Sequence, residues 1–402
     1  LLLGGEDPFL FNVLLPSLQA DRYEAYLQHA DPGARTALLR QHRAIFCAPC
    51  FEGHITPGLE TILGLGTTGL RQRCHDAMLK LPRGTKRGVR QRHWYAAALL
   101  SCANIERYAV RLCAEARRIS LETDDAEWSE QLCEAASALE WVPLHPARTF
   151  QEALQAYWLV YILVTIEMGG CMPGGALGLG RPDQYLYPFY AADRAAGRLT
   201  RPRALELLEV FLLNFRHVDY YTPHQLFTPG SQASIGGVTP TGLDASNDVT
   251  DLIMDASLRI HMPTPYISVR LHRDAPEPVW QAAADYVIGG LGFSIVNDHV
   301  LIPAFLKHGR SLADARDYIC SCCYEFTIPG REAFNPGGCF INLPLILEMT
   351  LNRGCSLLTG KRLGPTGPSP SVFTSFGELM AEFERQVDGV LARAVRLVNR
   401  AD

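Results

Sequence analysis

Residues 266–298, YISVRLHRDAPEPVWQAAADYVIGGLGFSIVND, decide the fold class. YISVRL at 266–271 and GFSIVND at 292–298 are short, apolar and β-branched, the composition of buried strands. Between them Asp274-Ala-Pro276-Glu277 marks a helix start, because proline suits the first helical turn and an acid there complements the helix dipole. Strand and helix alternate from Thr149 onward, with a further strand-like run, YICSCCYEF, at 318–326. That alternation predicts an α/β fold. Thr149-Phe-Gln-Glu152, Ser311-Leu-Ala-Asp314 and Ser375-Phe-Gly-Glu378 each place a hydroxyl three residues before an acid, a capping pattern that starts a helix.

Upstream, to about residue 140, the pattern is helical. LPSLQADRYEAYLQHA, ARTALLRQHRAIF, LRQRCHDAMLKL and YAAALLSCANIERYAVRLCAEARRI carry apolar residues at three- and four-residue spacing. The Gly/Pro-rich stretches 169–182, 228–237, 328–338 and 363–371 read as connections whose glycines admit close backbone approach. No repeat is present.

The 402 residues are 48% hydrophobic and 20% charged, which excludes a disordered or fibrous chain. Net charge is −5, and the 37 basic residues, only four of them lysine, are scattered, so no nucleic-acid footprint appears. The longest nearly unbroken apolar run, AYWLVYILVTI at 156–166, is far short of the roughly 20 residues of a membrane span and reads as a buried helix. Twelve cysteines are too sparse for a disulfide scaffold and no secretory signal precedes them, so a reducing cytoplasm is expected. The chain opens without Met and stops inside the amphipathic pattern RAVRLVNRAD, which reads as a fragment.

The densest chemical signal is Asp317-Tyr-Ile-Cys320-Ser-Cys322-Cys323-Tyr-Glu325-Phe-Thr-Ile-Pro329-Gly330. In extended chain, residues i and i+2 face the same way, so Cys323 and Glu325 can address one substrate together. Cys320 and Cys322 also share a face. Spacing alone does not decide this, since Cys50-Phe-Glu52 and Cys113-Ala-Glu115 repeat it and buried inert thiols are common. Cys47-Ala-Pro-Cys50-Phe-Glu-Gly-His54 offers three zinc-type ligands without an evident fourth, and the later cysteines match no iron–sulfur or zinc spacing, so no metal is expected. No GxSxG elbow, P-loop or HExxH occurs. Gly178-Leu-Gly180-Arg-Pro-Asp183 reads as no phosphate loop, for it follows no expected strand and lacks a third glycine.

Taken in order, the stretches 53–70, 106–116, 149–158, 180–200, 234–257, 263–272 and 292–318, followed by the Cys-x-Glu segment, resemble the glycyl radical enzymes of the pyruvate formate-lyase superfamily. The resemblance is collinear from about His54 to the end. It implies a ten-stranded α/β barrel, incomplete here, of two parallel halves set antiparallel, wrapped by helices, with a cysteine loop threading its interior. A single barrel domain over 1–402 is expected, with a helical layer over about 1–145, a core over about 146–402 and no C-terminal glycine radical domain. In this family a separate radical S-adenosylmethionine activating enzyme makes a radical at a C-terminal glycine. The radical passes to the loop cysteine, whose thiyl takes a hydrogen atom from substrate.

By position, Cys323 matches the thiyl-forming cysteine and Glu325 the acid/base of the dehydratase and lyase branches. His54 matches a histidine that contacts substrate, and Asp219, Phe334 and Phe340 are further substrate-side candidates, the aromatics through their ring faces. The resemblance further implies a small polar substrate, a homodimer and no tightly bound cofactor. Cys322-Cys323 also looks like the adjacent pair of pyruvate formate-lyase itself, which keeps open C–C cleavage with coenzyme A. Glu325 favours elimination, in which a base must deprotonate a ketyl-type radical. A non-catalytic or metal-binding barrel is the alternative of another class.

Several positions depart from the pattern. Gly175-Ala176 stands where diol dehydratases carry His-Ser, Asn335-Pro-Gly-Gly338 replaces a further carboxylate, and Cys322 and Tyr324 make the loop bulky. No Arg-Val-x-Gly-Tyr loop occurs, and the last glycine, Gly389, lies in a helical pattern. The radical glycine is therefore expected from a longer chain or a partner, or else the protein is an inactive relative.

Overall fold

The computed structural model describes residues 45–46, 54–167, 176–220, 231–262, 264–291, 294–321, 325–334, 340–357, 360 and 362–401. In chain order the elements are β1 (Ile45–Phe46), β2 (His54–Ile55), α1 (Leu59–Leu79), α2 (Lys86–Glu122), α3 (Ala126–Trp141) and α4 (Phe150–Glu167). Then come β3 (Ala176–Gly180), α5 (Pro182–Ala195), α6 (Arg201–Tyr220), β4 (Gln232–Gly236), α7 (Asp248–Ile260), β5 (Tyr266–Leu271) and α8 (Glu277–Ile288). The remainder are β6 (Ser294–Asn297), α9 (Asp298–Lys307), α10 (Leu312–Arg316), β7 (Ile319–Ser321), β8 (Glu325–Thr327), β9 (Ala333–Phe334), β10 (Phe340–Ile341), α11 (Leu343–Leu351) and α12 (Phe376–Ala401). Two compact units result, one with the described residues from His54 to Phe334 and one with β1 and the residues from 340 onward.

In the first unit the sheet order is β6-β5-β4-β3-β2-β9. The five strands β2 to β6 run parallel and β9 is antiparallel to β2, as expected of one half-barrel followed by a strand of the oppositely directed half. The core lies on the outer face of this sheet. Ala233 and Ile235 of β4 and Ile267, Val269 and Leu271 of β5 are buried there with Trp158 of α4, Phe211 of α6 and Val249 of α7. Each such aliphatic side chain contributes about 1.5–3 kcal/mol on burial. Along α4, residues 153–162 are buried without a polar stripe, which bears out the apolar run as an internal helix. Asn247 closes a capping box on Thr250 at the start of α7, and Ser311 caps α10 through the Asp314 N–H.

Besides the two-residue β9 within 328–338, two longer strands fall inside stretches expected to be connections, β3 within 169–182 and β4 within 228–237. The reason is steric. A Cβ on Gly178 would stand 2.2 Å from Thr56 Oγ1 and 2.8 Å from Ile319 Cδ1, so strands covered this closely on the inner face use glycine and serine rather than β-branched residues. Glycine also bends α1, where Gly66 at φ 62° lets Thr67 and Thr68 donate to the carbonyls of Pro143 and Leu144. Gly64-Leu-Gly66-Thr-Thr-Gly69 has the spacing of a dinucleotide fingerprint, but its central glycine serves this kink inside a helix.

In the second unit β1 pairs antiparallel with β10, Ile45 opposite Ile341 and Phe46 opposite Phe340. Ile45 and Phe46 were expected to end a helix; the ladder to β10 overrides the helical spacing. The remaining residues of the expected helices before residue 45 lie outside the described residues. α11 and α12 share a small core of Ile346, Met349, Val390 and Ala394. Among the described residues no helix is long and apolar enough to cross a membrane.

Candidate active site

The cysteine-rich segment is a hairpin. The run 318–326, expected as one strand-like segment, holds two short strands, β7 and β8, paired antiparallel with Ile319 opposite Thr327, Cys320 opposite Phe326 and Ser321 opposite Glu325. Three residues join the Ser321–Glu325 pair. They are Cys322, Cys323 and Tyr324, which lie outside the described residues.

Two buried arginines hold the base of this hairpin. Arg270, at the end of β5, donates through Nη1 to the Tyr318 carbonyl and through Nη2 to the Arg316 carbonyl, both at 2.9 Å. Its Nε and Nη2 also reach the two carboxylate oxygens of Asp298 at 3.0 and 2.9 Å, and the Tyr318 hydroxyl donates to the same carboxylate. Burial opposes the Arg270 charge, but Tyr318 and Asp298 outweigh it and leave its pKa raised. Arg181, which follows β3, donates to the carbonyls of Gly236, Val238 and Arg316. Burial, and then the neighbouring Arg270, push Arg181 below its ordinary value. Asp183 is pushed up by burial, although Arg181 and hydrogen bonds from the Gly236 N–H and Thr250 hydroxyl favour its charge.

The inner face of the sheet is polar where the hairpin lies on it. Strand alternation puts Gln232 and Ser234 of β4, Ser268 and Arg270 of β5 and Ser294 of β6 on that face. Ser234, Ser268 and Ser294 share one register row across three strands. The Ser234 hydroxyl accepts from the Cys320 N–H at 2.9 Å, and the Ser268 and Ser294 hydroxyls bond each other at 2.6 Å. The Cys320 thiol reaches Ser268, Ser294 and Gln232; burial pushes its pKa up against these hydrogen bonds. The opposite face of the hairpin carries Ser321, Glu325 and Thr327, since cross-strand partners share a side. Thr327 Oγ1 there meets Thr56 Oγ1 at 3.3 Å, both side chains buried. Ser321 is fully buried, and among the described residues its hydroxyl has no hydrogen-bond partner.

Of the expected site residues, Glu325 opens β8 and is half-buried. His54 opens β2 and pairs across the ladder with Phe334 of β9, so these two come together at backbone level. Asp219 is the penultimate residue of α6. Phe340 pairs with Phe46 in the second unit. Cys322 and Cys323 lie outside the described residues, as do Cys47 and Cys50 of the zinc-type pattern. Among the described residues no group of three or more His, Cys, Asp or Glu side chains is placed to hold a metal.

Sequence reasoning missed the serine row, Gln232, the thiol of Cys320 as its partner, and the Arg270–Asp298 clamp. A signal was present: polar residues at alternate positions of otherwise apolar strands, Gln232 and Ser234, then Ser268 and Arg270. A strand covered on both sides reads as continuous apolar sequence, so this alternation marks a face turned toward something polar.

Residues 40–402 match the pyruvate formate lyase-like family model. The chain is 31% identical over 337 residues to an isethionate sulfite-lyase from Nitratidesulfovibrio vulgaris, covering 81% of this chain and 40% of that protein's length. It also superposes on the glycerol-bound B12-independent glycerol dehydratase of Clostridium butyricum, with a TM-score of 0.79, 25% identity and coverage of 93% and 47% of the two chains. The hydroxyproline dehydratase of Clostridioides difficile, with trans-4-hydroxy-L-proline bound, gives a TM-score of 0.79 at 25% identity over 94% and 48%. The chain thus spans less than half the length of these relatives, and its parallel half-sheet with the internal hairpin is the corresponding part of their fold. It belongs to the pyruvate formate lyase-like family, the glycyl radical enzymes.

Proposed function

We propose that this chain is the catalytic half-barrel of a radical lyase or dehydratase that eliminates a leaving group from a small polar substrate carrying a vicinal hydroxyl. The observation that carries the reading is the Ser321–Glu325 register. It holds a half-buried carboxylate at the end of a hairpin whose three connecting residues include Cys323.

The family's radical glycine, installed by a partner activating enzyme, supplies the one-electron oxidant. Gly389, the last glycine of this chain, does not fit that role: it lies inside α12, where a Cβ would stand 2.5 Å from Pro365 Cγ. It is a packing glycine.

In the reading, the Cys323 thiyl takes the hydrogen atom from the hydroxyl-bearing carbon, forming S–H and a carbon radical. Glu325 accepts the hydroxyl proton, and the resulting ketyl oxygen drives the vicinal leaving group out with its electron pair. The new carbon radical recovers the hydrogen atom from the Cys323 thiol, and the proton on Glu325 goes to the leaving group. Net, a hydroxy compound becomes a carbonyl compound plus the protonated leaving group. A well-placed base of this kind contributes about 10²–10⁴ in rate, and a buried hairpin keeps water from the radical.

Turnover by the anaerobically activated full-length protein tests this. Cys323→Ser and Glu325→Gln are both expected to abolish it; activity retained in Cys323→Ala overturns the reading. Acylation of Cys322 by a 2-oxoacid, with turnover indifferent to Glu325→Gln, selects coenzyme A-dependent C–C cleavage instead.

A further inference from the structure

We propose that Ser321 is a catalytic residue whose hydroxyl donates to the substrate's hydroxyl oxygen, the same group whose proton Glu325 removes. This rests on the elimination reading above and deepens it.

Three observations converge. Ser321 stands directly opposite Glu325 in the hairpin ladder, and partners across an antiparallel pair project to the same side. Its side chain is fully buried, yet among the described residues its Oγ has no hydrogen-bond partner. The other hydroxyls nearby are satisfied: Ser234 accepts from Cys320, Ser268 bonds Ser294, and Thr56 bonds Thr327. A buried hydroxyl left without a partner is costly, and native proteins leave few of them. A bound hydroxyl compound supplies the missing partner.

The chemistry fits the position. As Glu325 takes the proton, negative charge grows on the substrate oxygen, and a donor fixed in a water-poor site stabilises that charge where a free alcohol could not. One oxygen is then bracketed by a base that removes its proton and a hydroxyl that receives its lone pair. The ligand class is a small compound with a hydroxyl next to the carbon that bears the leaving group.

Calorimetric binding to the unactivated full-length protein separates the possibilities, using isethionate, glycerol and 1,2-propanediol as probes. Ethanesulfonate, for the first, and 2-propanol, for the other two, serve as counterparts lacking the hydroxyl in question. Ser321→Ala is expected to weaken the hydroxylated probe that binds by roughly tenfold. The counterpart should bind wild type and variant equally, and the variant should melt no lower than wild type, because it loses an unsatisfied group. If the wild type binds a hydroxylated probe and Ser321→Ala binds it as tightly, or loses both probes equally, the Ser321 assignment fails alone. If the wild type binds none of the three, the elimination reading fails and takes this inference with it. Should Ser321→Ala not fold, the isosteric pair Ser321→Thr and Ser321→Val makes the same comparison, binding kept in the first and lost in the second.

Discussion

Arg270 and Tyr318 meet twice: the guanidinium lies 3.9 Å from the centroid of the tyrosine ring, and its Nη1 donates to the carbonyl oxygen of the same residue at 2.9 Å. A strand of the sheet thereby grips both the backbone and the ring of the residue that leads into the cysteine hairpin. Asp298 completes the grip by pairing with the guanidinium and accepting from the tyrosine hydroxyl. The hairpin is placed by charge-assisted contacts at its base.

Removing one partner of this clamp leaves a buried charge alone. Arg270→Met and Asp298→Asn are each expected to cost about 3–5 kcal/mol of unfolding free energy. The double variant Arg270→Met/Asp298→Asn should cost less than the sum of the single changes, because no ion is left unpaired. Urea titrations of the four proteins read the coupling directly.

Gly178→Ala tests how tightly the hairpin lies on the sheet. The added methyl falls 2.2 Å from Thr56 Oγ1 and 2.8 Å from Ile319 Cδ1, so both neighbours must shift. A loss of about 1–3 kcal/mol follows from overpacking. Substrate binding should weaken with it, whereas Gly84→Ala, with nothing near its Cβ, should leave binding intact despite its φ of 75°.

Cys320 and Cys133 differ in environment, the first buried in the hairpin and the second exposed. Burial raises the Cys320 thiol above its ordinary value. Iodoacetamide at pH 8 should modify Cys133 at least tenfold faster than Cys320 in the folded protein, read by peptide mass spectrometry. A raised thiol stabilises the fold below the ordinary thiol range, and that contribution is lost as pH rises through the folded value. Cys320→Ala should therefore flatten the alkaline limb of the stability curve.

Glu382 behaves oppositely. Its hydrogen bonds from Arg385, and then from Gln386, hold the carboxyl below its ordinary 4.5 despite partial burial. Such a group adds stability above pH 4.5 that disappears as pH falls through the lowered value. Glu382→Gln should cost about 1 kcal/mol at pH 7 and nothing near pH 2, measured by thermal unfolding across that range.

The elements legible in the sequence are those whose signal is local. YISVRL reads as a strand because its side chains are β-branched and apolar in alternation, and the run 156–166 reads as an internal helix because it is almost wholly apolar. β3 and β4 were illegible for a physical reason: the hairpin packs so closely on them that Gly178 and Ser234 replace the residues that announce a strand. The hairpin was half legible, since the run 318–326 has strand composition but nothing in its spacing says that it folds back on itself.

The α/β class, the collinear family resemblance and the Cys-x-Glu motif are readable from the chain alone, because helix and strand periodicity and short motifs are carried by residues close along it. Folding is what puts Ser321 on the side of Glu325, brings the Cys320 thiol to Gln232, Ser268 and Ser294, and sets Arg270 against Tyr318. Ser321 and Glu325 are close in the chain and meet through the β7–β8 ladder; the other partners lie dozens of residues apart and meet because parallel strands joined by helices bring one register row together from three separate segments. Burial then sets the energy of each meeting, which no residue carries alone.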